Sequence, residues 1–222
     1  MHRESPVIRR FVLFAALLLA IPLASAQGTL SVGFGGAHAS QGAFVDITAS
    51  RALSVNGFAM NLATGPVTVT VYTKSGTTAG SEETPGAWSL YTTVTVTGNG
   101  QGTGTGVAIP AFPIGAGQTY AFYLVTDTDG KIYNADGPIT GASNADMSFT
   151  SAYESHGLFT DTYNGWGFQG TVCYDGADCG AAPVYVPTEV PTLSEWGMIG
   201  LSLLVAALAA VQLRRRNRGI SA

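Results

Sequence analysis

Pro66-Val67-Thr68-Val69-Thr70-Val71-Tyr72-Thr73 alternates between apolar and polar side chains. In an extended chain successive side chains point to opposite faces, so Val67, Val69 and Val71 share one face while Thr68, Thr70 and Tyr72 share the other. That is a strand with one buried side, and the pattern recurs in both directions from it. Upstream, Val45 and Ile47 alternate with polar neighbours in 44–48, and 53–62 is a second strand candidate. Downstream, 88–97 repeats the pattern with Trp88, Leu90, Val94 and Val96 inward. The run 107–114 holds Pro110 and Pro113, which suit an edge because proline has no N–H for the ladder. Residues 119–126 are dense in Tyr, Phe, Leu and Val, and Met147 with Phe149, then 168–174, read as the closing strands.

Turn signals separate these runs: Asn56-Gly57, Ser75-Gly76, Gly98-Asn99-Gly100, Asp129-Gly130, Asp136-Gly137 and Asn164-Gly165. No run shows helical spacing of useful length. Seven to nine strands over about 150 residues at this spacing predict an all-β ectodomain, 27–180, folded as a single β-sandwich that is jelly-roll-like or Ig-like. Barrel closure is the runner-up.

The two ends differ in kind. Arg3, Arg9 and Arg10 precede an apolar run from Phe11 to Ile21, and Ala24-Ser25-Ala26 supplies the small residues of a signal-peptidase site. A basic flank, a short apolar core and A-x-A describe a secretory signal peptide over 1–26. At the other end, 18 uncharged residues (196–213) lie between Glu195 and Arg214. As a helix that run reaches roughly 27 Å, near the ~30 Å hydrocarbon core. Only Ser202 and Gln212 are polar between Trp196 and Leu213, so a soluble amphipathic helix has no polar face to offer. Trp196 suits the outer interface, and Arg214, Arg215, Arg216 and Arg218 suit the cytoplasmic one as a membrane stop. Before this span, Pro183 and Pro187 mark an extended linker over 181–189.

Export changes the charge picture. The formal charge is −4, but seven arginines sit in the terminal segments, and 27–190 holds twelve carboxylates against Arg51, Lys74 and Lys131, near −9. An acidic exported domain without a basic stripe argues against nucleic acid as a partner, since phosphate neutralisation needs Lys and Arg.

Val190-Pro191-Thr192-Leu193-Ser194-Glu195-Trp196-Gly197, followed by an apolar helix and an arginine cluster, resembles the IPTL-CTERM protein-sorting domain. Pro191, Thr192, Leu193, Trp196 and Gly197 match its pattern, and Val190 stands where that pattern has isoleucine. The resemblance implies a substrate of an exosortase-type membrane enzyme. The tail would hold the ectodomain in the inner membrane, among its lipids and on the periplasmic side, until the enzyme cuts near Pro191-Thr192-Leu193; the product would reach the cell surface or the medium. A proline there keeps the preceding chain extended, as a protease cleft requires. The middle of the chain also resembles a β-sandwich type of secreted bacterial proteins, on Val69–Tyr72, Gly86–Leu90, Tyr120–Tyr123, Asn144–Met147 and Trp166–Val172, which bears on the fold and not on function.

Candidate chemistry is sparse. Cys173 and Cys179 are the only cysteines, and in an exported chain the pair is most simply a disulfide. Two thiols with no nearby histidine fall short of a metal site. His38 and His156 sit in Gly- and Ser-rich contexts and read as solvated loop residues. Ser40 and Ser155 could be nominated as nucleophiles, but no Gly-x-Ser-x-Gly elbow singles one out. The expectation is no catalysis, no cofactor and no metal. Asp127-Thr128-Asp129-Gly130 has the alternating carboxylates of a calcium loop, but a hairpin turn explains it with less. Tyr72, Tyr91, Tyr123, Tyr153, Tyr163 and Trp166 offer aromatic faces on which sugar rings stack, so an extracellular polysaccharide is the alternative partner, though aromatic residues are also what strands are built from.

Overall fold

The computed structural model describes residues 27–180. The expected signal peptide (1–26), linker (181–189) and sorting segment (190–218, with its span 196–213) lie outside the described residues. Among the described residues, no helix is long and apolar enough to cross a membrane.

The described chain is all-β, as expected. Fourteen strands run β1 (Gly28–Ser31), β2 (His38–Ser40), β3 (Gly42–Ala49), β4 (Leu53–Asn61), β5 (Gly65–Ser75), β6 (Ser89–Gly98), β7 (Gly104–Ile114), β8 (Thr119–Thr126), β9 (Ile132–Asn134), β10 (Ile139–Ser143), β11 (Met147–Ser151), β12 (Tyr153–Gly157), β13 (Thr160–Asn164) and β14 (Gly170–Tyr174). One sheet has the order β1-β14-β4-β7; the second runs β10-β11-β3-β8-β5-β6, with β12 pairing both β3 and β13; β2 and β9 form a separate ribbon. Both large sheets are open, so the barrel alternative is not what forms.

The two large sheets share one core. Val67, Val69 and Val71 of β5 are fully buried there with Val45 and Ile47 of β3, Phe122 and Leu124 of β8, and Val55, Met60 and Val107 from the other sheet. On the opposite face of β5, the Thr68 and Thr70 hydroxyls meet those of Thr95 and Thr93 on β6. Burying each valine is worth about 1.5–3 kcal/mol, against about 0.2–1 kcal/mol for a cross-strand threonine pair. The buried face therefore sets the register, and a one-residue slip would expose all three valines. β7 lies at a sheet edge, consistent with Pro110 and Pro113.

The expected inward set of β6 needs correction. Val94 and Val96 do pack against the core, but Leu90 is 63 % exposed. The cause is a register shift: Val71 faces Thr92 but Tyr72 faces Leu90, so Tyr91 is an extra residue. Such a bulge inverts the alternation beyond it, turning Tyr91 onto the core and Leu90 outward. Trp88 is buried, yet in a second, smaller core with Phe44, Tyr123 and Phe159 on the outer face of the larger sheet. Its indole N–H donates to the Ser81 carbonyl.

That outer core positions β12. The rings of Phe44 and Tyr123 stack at 4.1 Å between centroids, and Phe159, from the β12–β13 turn, closes over Tyr123 at 5.0 Å. The Tyr123 hydroxyl contacts Ser155 Oγ at 2.7 Å and donates to the Gly157 carbonyl at 3.0 Å, tying β12 down. Gly42, opposite Ser155 in the β3–β12 pair, has no room for more: a Cβ there would lie 2.5 Å from Ser155 Oγ and 2.6 Å from the Tyr123 ring.

Candidate functional site

Successive residues of β12 point to opposite faces, so Ser155 turns down onto Tyr123 while Glu154 and His156, two apart, share the other side. The β2–β9 ribbon brings His38 to that side, opposite Asn134 in register. The three side chains converge. His38 Nε2 lies 2.8 Å from Glu154 Oε1, His156 Nε2 lies 3.4 Å from the same oxygen, and the three ligand-type atoms fall within 4.8 Å of one another. The imidazole planes are nearly perpendicular, 86° apart.

Each member is held by a neighbour. Glu154 is fully buried, and its Oε2 accepts from Asn134 Nδ2 at 3.1 Å. The same amide donates to Ser40 Oγ at 2.7 Å, so the residue after β2's midpoint fixes the residue that fixes the carboxylate. His156 sets its Nδ1 against both oxygens of Asp129, at 3.0 and 3.1 Å. That carboxylate makes Nδ1 the protonated nitrogen and leaves Nε2 to face Glu154. Burial works against the charged form of His156, but Asp129 and Glu154 together outweigh it and raise its pKa. The His38 ring lies against Trp166 at 4.6 Å. A cavity of about 330 Å³ opens over the group, lined also by Asp161, Tyr163 and Trp166.

These placements revise the reading of the histidines. They lie in paired strands rather than in solvated loops, with side chains only 33 % and 25 % exposed. Ser40 and Ser155, the serines a nucleophile reading would nominate, are both buried and hydrogen-bonded to neighbours. Asp129 spends its carboxylate on His156 and on the N–H of Gly130, the latter the expected turn. Of the aromatic set, Tyr123 is wholly buried, Tyr72 packs against the outer core, and Tyr91 packs on the main core with its hydroxyl on the Pro110 carbonyl. Tyr163 and Trp166 border the cavity.

Glu154 was missed by sequence reasoning altogether. The available signal was its i, i+2 spacing to His156, which puts a carboxylate and an imidazole on one face of any strand. Nothing local links either residue to His38, which lies 116 positions before Glu154 and 118 before His156.

The expected disulfide is present: Cys173 and Cys179 are joined, with Cα atoms 5.7 Å apart. It secures the end of β14 against β4, where Gly57 makes the space. A Cβ at Gly57 would lie 3.0 Å from the Val107 carbonyl and 3.2 Å from Cys179 Sγ. The remaining expected site residues (Val190, Pro191, Thr192, Leu193, Trp196, Gly197 and the arginines 214–216 and 218) lie outside the described residues.

No curated protein matches the chain. Residues 190–216 match the IPTL-CTERM motif. Over those residues the chain therefore carries the C-terminal sorting signal of an exported, surface-directed substrate of an exosortase-type membrane enzyme.

Proposed function

We propose that this chain is a non-enzymatic structural component of the cell envelope or extracellular matrix, delivered there as cargo. Signal peptidase removes 1–26, the apolar run 196–213 parks the ectodomain on the periplasmic face of the inner membrane, and the sorting enzyme acts near Pro191-Thr192-Leu193. The motif at 190–216 is the observation that carries this reading. The ectodomain supports it in being a sandwich with an acidic balance, which favours solubility during transit. The test is fractionation of cells producing the full chain or a chain lacking 190–222. Surface or released protein from the full chain, and a changed destination for the truncated one, are expected. An unchanged destination overturns the reading, and full-length protein held in the inner membrane beside an active sortase makes the chain a permanently anchored protein instead.

A second reading, a carbohydrate-binding adhesion module on the same tail, is favoured by one observation: Tyr163 is 45 % exposed at the rim of the cavity, beside Trp166. Binding of the released ectodomain to a glycan array decides for it, and silence across the array removes it.

A further inference from the structure

We propose that His38, Glu154 and His156 form a binding site for a divalent transition-metal ion of zinc's class. The proposal goes beyond the sorting reading and departs from the expectation, drawn from sequence, of a chain without metal.

The first observation is a buried oxygen without an aligned donor. Glu154 is buried, and its Oε1 accepts no aligned hydrogen bond although two imidazole nitrogens lie 2.8 and 3.4 Å away. Such a poorly satisfied buried carboxylate is costly, and a cation shared with the two imidazoles relieves that cost. The second observation is direction: Asp129 holds Nδ1 of His156 at 3.0 and 3.1 Å, which turns Nε2 of the same ring toward Glu154, so that the ligand-type atoms of His38, Glu154 and His156 fall within 4.8 Å of one another. The third is spacing. Ligands about 2.0–2.1 Å from a tetrahedral ion sit about 3.3 Å apart, which lies between the two separations to Oε1, 2.8 and 3.4 Å. The fourth is the outer ring: a carboxylate on the far nitrogen of a ligating histidine, and an amide on the second oxygen of a ligating glutamate, are how metal ligands are oriented. Asp129 and Asn134 supply both.

Two imidazoles and one carboxylate suit zinc and its neighbours in softness, whereas Mg²⁺ and Ca²⁺ prefer oxygen ligands throughout. Three protein ligands leave a fourth position, which faces the cavity bounded by Asp161, Tyr163 and Trp166. A bound ion would also tie the β2–β9 ribbon to β12.

The test uses the tag-free full chain in detergent micelles, stripped with chelator. Titration with ZnCl₂ is expected to show one equivalent bound per chain, and Co²⁺ in its place to give the visible d–d absorption of a low-coordinate site. Excess Mg²⁺ does not compete. His38→Gln and His156→Gln each abolish the equivalent, while Asp129→Asn retains it with about 10–100-fold weaker affinity. Should a variant fail to fold, the native chain still decides: Zn²⁺ protects both histidines from acylation by diethyl pyrocarbonate. No saturable zinc binding, binding indifferent to the two histidine substitutions, or no protection overturns the proposal and leaves the group a structural His–Glu cluster only.

Discussion

Tyr123 shows how one side chain serves two layers. Its ring belongs to the outer core with Phe44, Trp88 and Phe159, while its hydroxyl reaches Ser155 and the Gly157 carbonyl. Tyr123→Phe keeps the ring and strands those partners in a buried place. A loss of about 1–3 kcal/mol is expected in denaturant unfolding, with the main core unaltered. Arg51 is the corresponding residue at the other end of the fold, paired with Asp146 at 2.6 Å and Asp175 at 2.7 Å. Its hydrogen bond holds the Asp146 carboxyl below the ordinary carboxylate range, helped by the Tyr174 hydroxyl and opposed by burial. A carboxyl whose folded pKa is depressed adds stability that is complete above its unfolded value, about 3.9, and is lost as pH falls through the lower folded value. Arg51→Met should therefore cost up to about 1 kcal/mol at neutral pH and flatten the acid limb of melting temperature against pH. An acid limb unchanged by the substitution would count against this account of Asp146. Neither network was legible in the sequence, because Arg51 and Asp146 are 95 positions apart and meet only through strand pairing.

At the scale of elements, what could be read from sequence depended on strand length and on apolar content together. All eight stretches read as strands in the sequence, by alternation or by apolar density, are strands, from β3 through β8 plus β11 and β14. The six that were missed, β1, β2, β9, β10, β12 and β13, span three to five residues each. β11 and β14 are no longer than these, but Met147 with Phe149 and the apolar residues of 168–174 mark them, whereas β2 (His38-Ala39-Ser40) and β12 (Tyr153-Glu154-Ser155-His156-Gly157) carry no such apolar pattern. Those six include β2 and β12, which bring His38 to Glu154 and His156, so the candidate site escaped for the same reason that its strands did. The misplaced Leu90 has a different cause, a bulge that a periodic pattern cannot announce. The cysteines were the opposite case: an isolated pair in an exported chain admits one simple outcome. Their loop closes the end of β14, and removing the bond by Cys173→Ser with Cys179→Ser should cost about 2–3 kcal/mol of unfolding free energy. Equal melting temperatures with and without the bond would show that β14 is held by its ladder alone.

For the whole molecule, the parts most legible in sequence and those described in the structure are complementary. The tail declares itself by an ordered series (a proline-containing motif, an uncharged run, an arginine cluster) that needs no fold to be read, and the motif match at 190–216 agrees with it. The ectodomain declares its class by alternation, but its surface chemistry exists only once fourteen strands have assembled. On this account the two have separate tasks: the tail decides where the protein goes, and the ectodomain decides what it does on arrival. The most direct measurement is the intact mass of the protein recovered from the surface or medium of a host with its exosortase-type enzyme, and from the inner membrane of a host lacking it. The account predicts a surface form without 196–213 and the arginine cluster in the first host, and retention of the uncut tail in the second. Surface protein that carries its complete tail in both hosts would contradict it.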